Sequence, residues 1–219
     1  AVRQGYELAH RGALYSAQTE FASALRTIAQ ALDAQETDTK HVQALVAGLT
    51  TLEESDDFLV PARSVTATVD VAAVVAKHRT PVLKDAVKED LTPITALQRY
   101  YTFAQEQLAA AVEHEPAASQ ALYGMGKVQT TLQASRTGSL ADGPKAIALH
   151  QAALLVDERN FMAANELGVL LARCGRVGIT LDSDALSADG YAQHRGKRGE
   201  LRFSTVDFSC RLTVVDPAA

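Results

Sequence analysis

Phosphate binding is the first chemistry that residue types in this chain suggest. The segment GMGKVQT at 124–130 has glycines whose backbone can approach an anion and a lysine to neutralise it. The earlier glycine of a phosphate loop is missing, Val128 follows Lys127 where Ser or Thr is needed, and the segment lies inside a helical pattern, so nucleotide binding is not expected. Asp182, Asp184 and Asp189 with Gly190 offer the oxygen ligands that calcium takes. Leu186 fills a ligand slot of the EF-hand loop, however, and no terminal glutamate follows at its spacing, so these read as solvated turn residues. His10, His41, His78 and His194 are scattered, and no HExxH pair puts two ligands on one helical face, so no metal site is expected. His114, between Glu113 and Glu115, suits an exposed helix end, where the helix dipole favours positive charge. Neither Cys174 nor Cys210 sits in a CxxC pair or beside a nucleophile signature, and Cys174 on an apolar helical face reads as a buried thiol. No serine occupies a GxSxG turn, and the basic run HRGKRGE at 194–200 reads as a loop. Catalysis and cofactor binding are therefore unsupported, and the expected cofactor set is empty.

An offset organises the elements of the chain. Ala104, Ala111 and Gly126 reappear, in order and in like surroundings, as Ala146, Ala153 and Gly168. Recurrence at a period of about 20–50 residues marks stacked helical hairpins. In 100–116 the small residues Ala104 and Ala111 share a helical face with Leu108 between them, so a neighbouring helix can approach at the alanines. The later copy holds Ala146, His150 and Ala153, and the N-terminal region holds Ala17, Phe21 and Ala24, preceded by Gly5 and Gly12. Gly168 and Gly175 repeat the spacing of Gly5 and Gly12. The first glycine of each pair suits close helix packing, and the second suits a helix end with positive φ.

This pattern resembles the tetratricopeptide repeat, a helix-turn-helix unit with glycine, alanine, phenylalanine and alanine at these offsets. Residues 1–34 resemble one repeat that begins inside its first helix, 97–116 a second helix ending at Pro116, 117–158 a full repeat lengthened by an insert, and 160–176 the first helix of another. The resemblance is to bacterial tetratricopeptide proteins of unassigned activity. It implies an all-α solenoid of helical hairpins over 1–176 and a non-enzymatic scaffold that binds a protein or peptide along the concave face of its first helices. Carried over residue by residue, it places Tyr6, His10, Gln120, Tyr123, Lys127, Asn165, Val169 and Arg173 on that face. Lys127, Asn165 and Arg173 are of the types used by repeats that grip a terminal carboxylate, but their placement does not reproduce that clamp.

The remaining segments are less regular. Thr39 is a plausible N-cap for a helix with Val42, Leu45, Val46, Leu49 and Leu52 on one face, packed on the first hairpin. Residues 59–91 read as a long irregular arm with a short helix near 71–77, and Thr92-Pro93 signals the next helix start. In the non-repeat tail 177–219, alternation of Val206, Phe208, Cys210, Leu212 and Val214 predicts a strand, paired near Ile179–Leu181 as a β ribbon. At least six helices are expected, with 13–33, 93–114, 117–132 and 144–156 forming antiparallel pairs.

Charge and length narrow the partners. A formal charge of −5 argues against a nucleic-acid surface, and no apolar run approaches the ~20 residues of a membrane span. A cytoplasmic location is expected, although the chain opens on Ala1 and an upstream segment could have been removed. An unfinished last hairpin would expose Leu167, Leu170 and Leu171 to a second copy, a route to self-association. The alternative from another class is a small-ligand protein or enzyme whose pocket the 59–91 arm caps, with His78, Arg79, Tyr100 and Tyr101 as its candidates.

Overall fold

The computed structural model describes residues 1–59, 69–84, 91–137, 143–176, 179–181 and 210–212. They form an all-helical body of α1 (Val2–His10), α2 (Leu14–Glu36), α3 (Lys40–Glu54), a 3-10 turn (Ser55–Phe58), α4 (Val71–Val75), α5 (Pro93–Val112), α6 (Pro116–Thr137), α7 (Gly143–Val156) and α8 (Phe161–Arg176). Beyond it, β1 (Ile179–Leu181) pairs antiparallel with β2 (Cys210–Leu212), Thr180 opposite Arg211. Asp182, Asp184, Asp189 and the basic run at 194–200 lie outside the described residues.

Several helical pairs close by a glycine set against a large side chain. A methyl group added at Gly5 of α1 would lie 2.6 Å from the Phe21 ring of α2, and one at Gly126 of α6 would lie 2.6 Å from the His150 ring of α7. The two contacts fall at positions that the glycine and alanine pattern of the sequence sets in correspondence. GMGKVQT is thus the middle of a helix, its second glycine a packing notch. Gly12 ends the first turn region with φ +77, which a side chain would oppose. The alanine slots behave as expected: Ala17, Ala104, Ala111, Ala146 and Ala153 are fully buried.

Residue pairings give the helix directions. Ser119 Oγ donates to the Ala153 carbonyl at 2.7 Å while Gly126 faces His150, so α6 and α7 run antiparallel. Gly48 against Leu108 and His41 against Glu113 set α3 and α5 antiparallel too. By contrast, Asn160 Nδ2 donates to Ser119 Oγ at 2.8 Å and Lys127 Nζ meets Glu166 at 2.7 Å, so α6 and α8 advance together, side by side.

Helix ends depart from the sequence expectation in two places. Pro116 does not close α5; it opens α6, where its missing N–H costs nothing. Thr39 precedes α3 without capping it, its Oγ instead accepting from Gln43. The cap comes from Asp33 of α2, whose carboxylate oxygens accept the amides of His41 at 2.9 Å and Val42 at 3.0 Å. Thr92 does cap α5, accepting from the Thr95 amide. Helix α3 lies mainly along α5, with a lesser contact to α2.

The core has two parts. The larger joins α2, α3, α5, α6, α7 and α8, and it takes in Leu167 and Leu170, so the last helix does not present those leucines outward; Leu171 is half-buried. Covering by α7 explains this, because α8 packs its apolar face on that helix. The smaller part gathers Phe58, Val71, Val75, Val82 and Leu83 around Ala96 and Tyr100 of α5, so the described portion of the 59–91 arm packs as a folded segment.

Candidate functional site

A cavity of about 330 Å³ opens where α1, α6 and the α7–α8 junction meet. Tyr6, Gln120, Tyr123, Asp157, Arg159, Asn160, Phe161 and Met162 line it. Its floor is built by aromatic packing: the Tyr6 ring meets Phe21 edge-on at 5.0 Å and lies 6.5 Å from Tyr123, which in turn tilts against His150 at 5.6 Å. Tyr6 Oη donates to the Gln120 carbonyl at 2.7 Å, tying α1 to α6. Burial, and then the neighbouring Tyr123, push the Tyr6 phenol above its ordinary range, so it stays a neutral donor. Burial likewise raises the Tyr123 phenol, with Lys127 opposing.

The opposite wall comes from a turn that the sequence builds locally. Asp157 Oδ1 accepts the Arg159 amide at 3.0 Å, and Asn160 Oδ1 accepts the Ala163 amide at 3.1 Å, capping α8. With its first turn fixed in this way, α8 holds Phe161 80 % exposed and Met162 61 % exposed at the cavity rim. A neutral floor, an ion-paired Asp157–Arg159 and two exposed apolar side chains provide contact area and hydrogen-bonding groups rather than a proton-transfer pair.

The residues expected on the concave face lie in different surroundings. Tyr6, Gln120 and Tyr123 converge on the cavity. Tyr123 is only 7 % exposed, however, so it is first a packing residue, wedged between Tyr6 and the His150 slot. Lys127 projects to solvent one turn on and pairs with Glu166. His10, Asn165 and Val169 are exposed but do not line the cavity, and the Arg173 side chain lies outside the described residues. Asn160, Phe161 and Met162 lie outside the repeat-spaced positions that the sequence marks, and their signal in it is an apolar pair directly after the turn DERN.

Two histidines that look isolated in the sequence sit in networks. His78 is buried, with Nδ1 2.6 Å from Tyr100 Oη and Nε2 3.2 Å from Asp57. Tyr100 is fully buried, and burial followed by the Glu54 carboxylate pushes its phenol up to about 12. Glu54 also accepts the amides of Arg79 and Thr80 and the Thr80 hydroxyl. Of the four candidates for a capped pocket, His78 and Tyr100 thus meet, while Arg79 is exposed and Tyr101 belongs to the larger core. The pair fastens the arm to α5.

His41 is the second. Its Nδ1 lies 3.0 Å from Asp33 Oδ1 and its Nε2 3.2 Å from Glu113 Oε1, with Glu36 close by. Burial opposes the Asp33 charge, but the amides of Val42 and His41 hold its carboxyl below the ordinary range. Among the described residues no helix is long and apolar enough to cross a membrane. No family model, curated protein or solved structure matches this chain.

Proposed function

We propose that this chain is a tetratricopeptide-like scaffold that binds an extended segment of a partner protein, taking an apolar side chain of that segment into the cavity between α1, α6 and the start of α8. The observation that carries this reading is the pair Phe161 and Met162, exposed at the mouth of a cavity floored by Tyr6 and Tyr123. Exposed apolar pairs beside a partly formed pocket are the usual anchor points of protein contacts. Further support comes from the repeat itself: small-on-large contacts recur at Gly5–Phe21 and Gly126–His150, and α6 and α8 advance in parallel as successive first helices of a solenoid do. A small-ligand reading shares the cavity, whose volume is near the low end of ligand pockets, about 300–1,000 Å³. The exposed rim favours the larger partner.

Selection of displayed linear peptides on the native chain tests this. Enriched peptides should share an apolar anchor residue, and Phe161→Ala with Met162→Ala should weaken them about tenfold or more without changing the thermal midpoint. Peptides that bind the double variant as tightly as the native chain would overturn the placement.

A further inference from the structure

We propose that Glu36, His41 and Glu113 form a binding site for a divalent transition metal ion, zinc being the best match, at the junction of α2, α3 and α5. One ligand atom from each residue lies within 4.8 Å of the others. The three come from separate helix ends: Glu36 closes α2, His41 is in the first turn of α3, and Glu113 follows α5. No sequence spacing would reveal them, because antiparallel packing of α3 on α5 is what brings His41 to Glu113.

The chemistry of the histidine is the main support. Asp33 accepts two backbone amides through its carboxylate, so it acts as an acceptor, and the His41 Nδ1 at 3.0 Å must donate to it. In the neutral ring this puts the lone pair on Nε2, and in the imidazolium, which the hydrogen bonds to Glu113 and Asp33 favour, a second proton holds that position. The lone pair points at Glu113 Oε1 across 3.2 Å. Two lone pairs facing each other repel unless a proton or a metal ion lies between them. A histidine held through one nitrogen by a carboxylate, with the other nitrogen turned to further ligands, is also the arrangement by which proteins orient imidazole toward a metal. His41 is 2 % exposed and so cannot swing away, whereas both glutamates are exposed and can adjust.

Nitrogen and carboxylate ligands suit zinc at about 2.0–2.2 Å, and a separation of 3.2 Å between two ligand atoms is close to a tetrahedral edge at those bond lengths. Lys40 pairs with Glu36 through Oε2, and a carboxylate can hold a lysine on one oxygen and a metal on the other. Three protein ligands leave a fourth position for water or a ligand from outside the chain.

The test is calorimetric titration of the whole chain with zinc, and with cobalt(II) read by its visible absorption. One ion per chain is expected, together with a rise in thermal midpoint and the strong absorption of four-coordinate cobalt. Glu36→Gln should weaken zinc binding tenfold or more while leaving the chelator-treated protein as stable as the native chain, because Glu36 is exposed and outside the Asp33–His41–Glu113 contacts. His10→Gln and His114→Gln should leave affinity unchanged. Substoichiometric binding, or zinc affinity that survives both Glu36→Gln and Glu113→Gln, would overturn the site; loss of affinity in His10→Gln or His114→Gln would move it to the surface histidines.

Discussion

His150 is the residue whose environment conflicts most with its chemistry. It is fully buried, and neither ring nitrogen has a hydrogen-bond partner. A neutral imidazole has one N–H to donate, so the fold carries an unsatisfied polar group costing about 1–3 kcal/mol. The corresponding slot in the first hairpin holds Phe21 against Gly5, at the same close approach. His150→Phe should therefore stabilise the chain at neutral pH by about 1–3 kcal/mol in denaturant unfolding, with a loss of stability as the contrary outcome. Burial, against the opposing Glu166 carboxylate, also pushes the His150 pKa down from 6.5 to about 4. In the unfolded chain the ring takes up its proton near 6.5, so acid favours unfolding below that value and the effect is complete near 4. Native stability should fall by about 1.4 kcal/mol per pH unit across this window, in excess of His150→Phe, whose difference from the native chain isolates the effect from carboxylate titration.

At the scale of elements, the helices depend on small residues at their crossings and on caps that arise in different ways. Ala153 is fully buried in α7, close to Ser119 of α6, which donates to its carbonyl. Ala153→Leu should overpack this crossing and cost about 1–3 kcal/mol, measured as a lowered denaturation midpoint. The two threonines at helix starts should separate cleanly. Thr92 accepts the Thr95 amide, so Thr92→Ala should cost about 1 kcal/mol. Thr39 caps nothing, so Thr39→Ala should stay within about 0.5 kcal/mol of the native chain. Equal losses would mean that Asp33 does not cap α3. The sequence showed the alanine register because small residues at i and i+7 record close helix approach directly. It did not show the Asp33 cap, because that carboxylate reaches α3 from the last turns of the preceding helix and leaves no local signature.

At the scale of the whole molecule, the two core clusters meet along α5, with the smaller one holding the described portion of the 59–91 arm. The fastening runs through Tyr100, whose hydroxyl lies 2.6 Å from His78 Nδ1 and 3.3 Å from the Val82 carbonyl. Tyr100→Phe removes one partner and leaves buried groups unsatisfied, so it should cost about 1–3 kcal/mol. Because the lost contacts belong to the smaller cluster, limited proteolysis should cut within the arm sooner than in the native chain, while α6 and α7 stay protected. Equal cleavage rates would mean that the arm is held by its apolar contacts alone.

What the sequence determined by itself was local and periodic: helix as the dominant element, the alanine and glycine slots that let helices close on each other, the Thr92 start of α5 and the short helix after Asp70. These are legible because each depends on residue types at fixed spacing along one chain segment. Tertiary structure decided everything that joins distant segments. It made Tyr123 a packing residue by setting it between Tyr6 and His150, covered Leu167 and Leu170 with α7, and brought Phe161 and Met162 to the rim of a cavity with Tyr6. It also gathered Glu36, His41 and Glu113 at one junction. Such meetings follow from which helix faces bury the most apolar surface against one another, and that is a property of the packed whole.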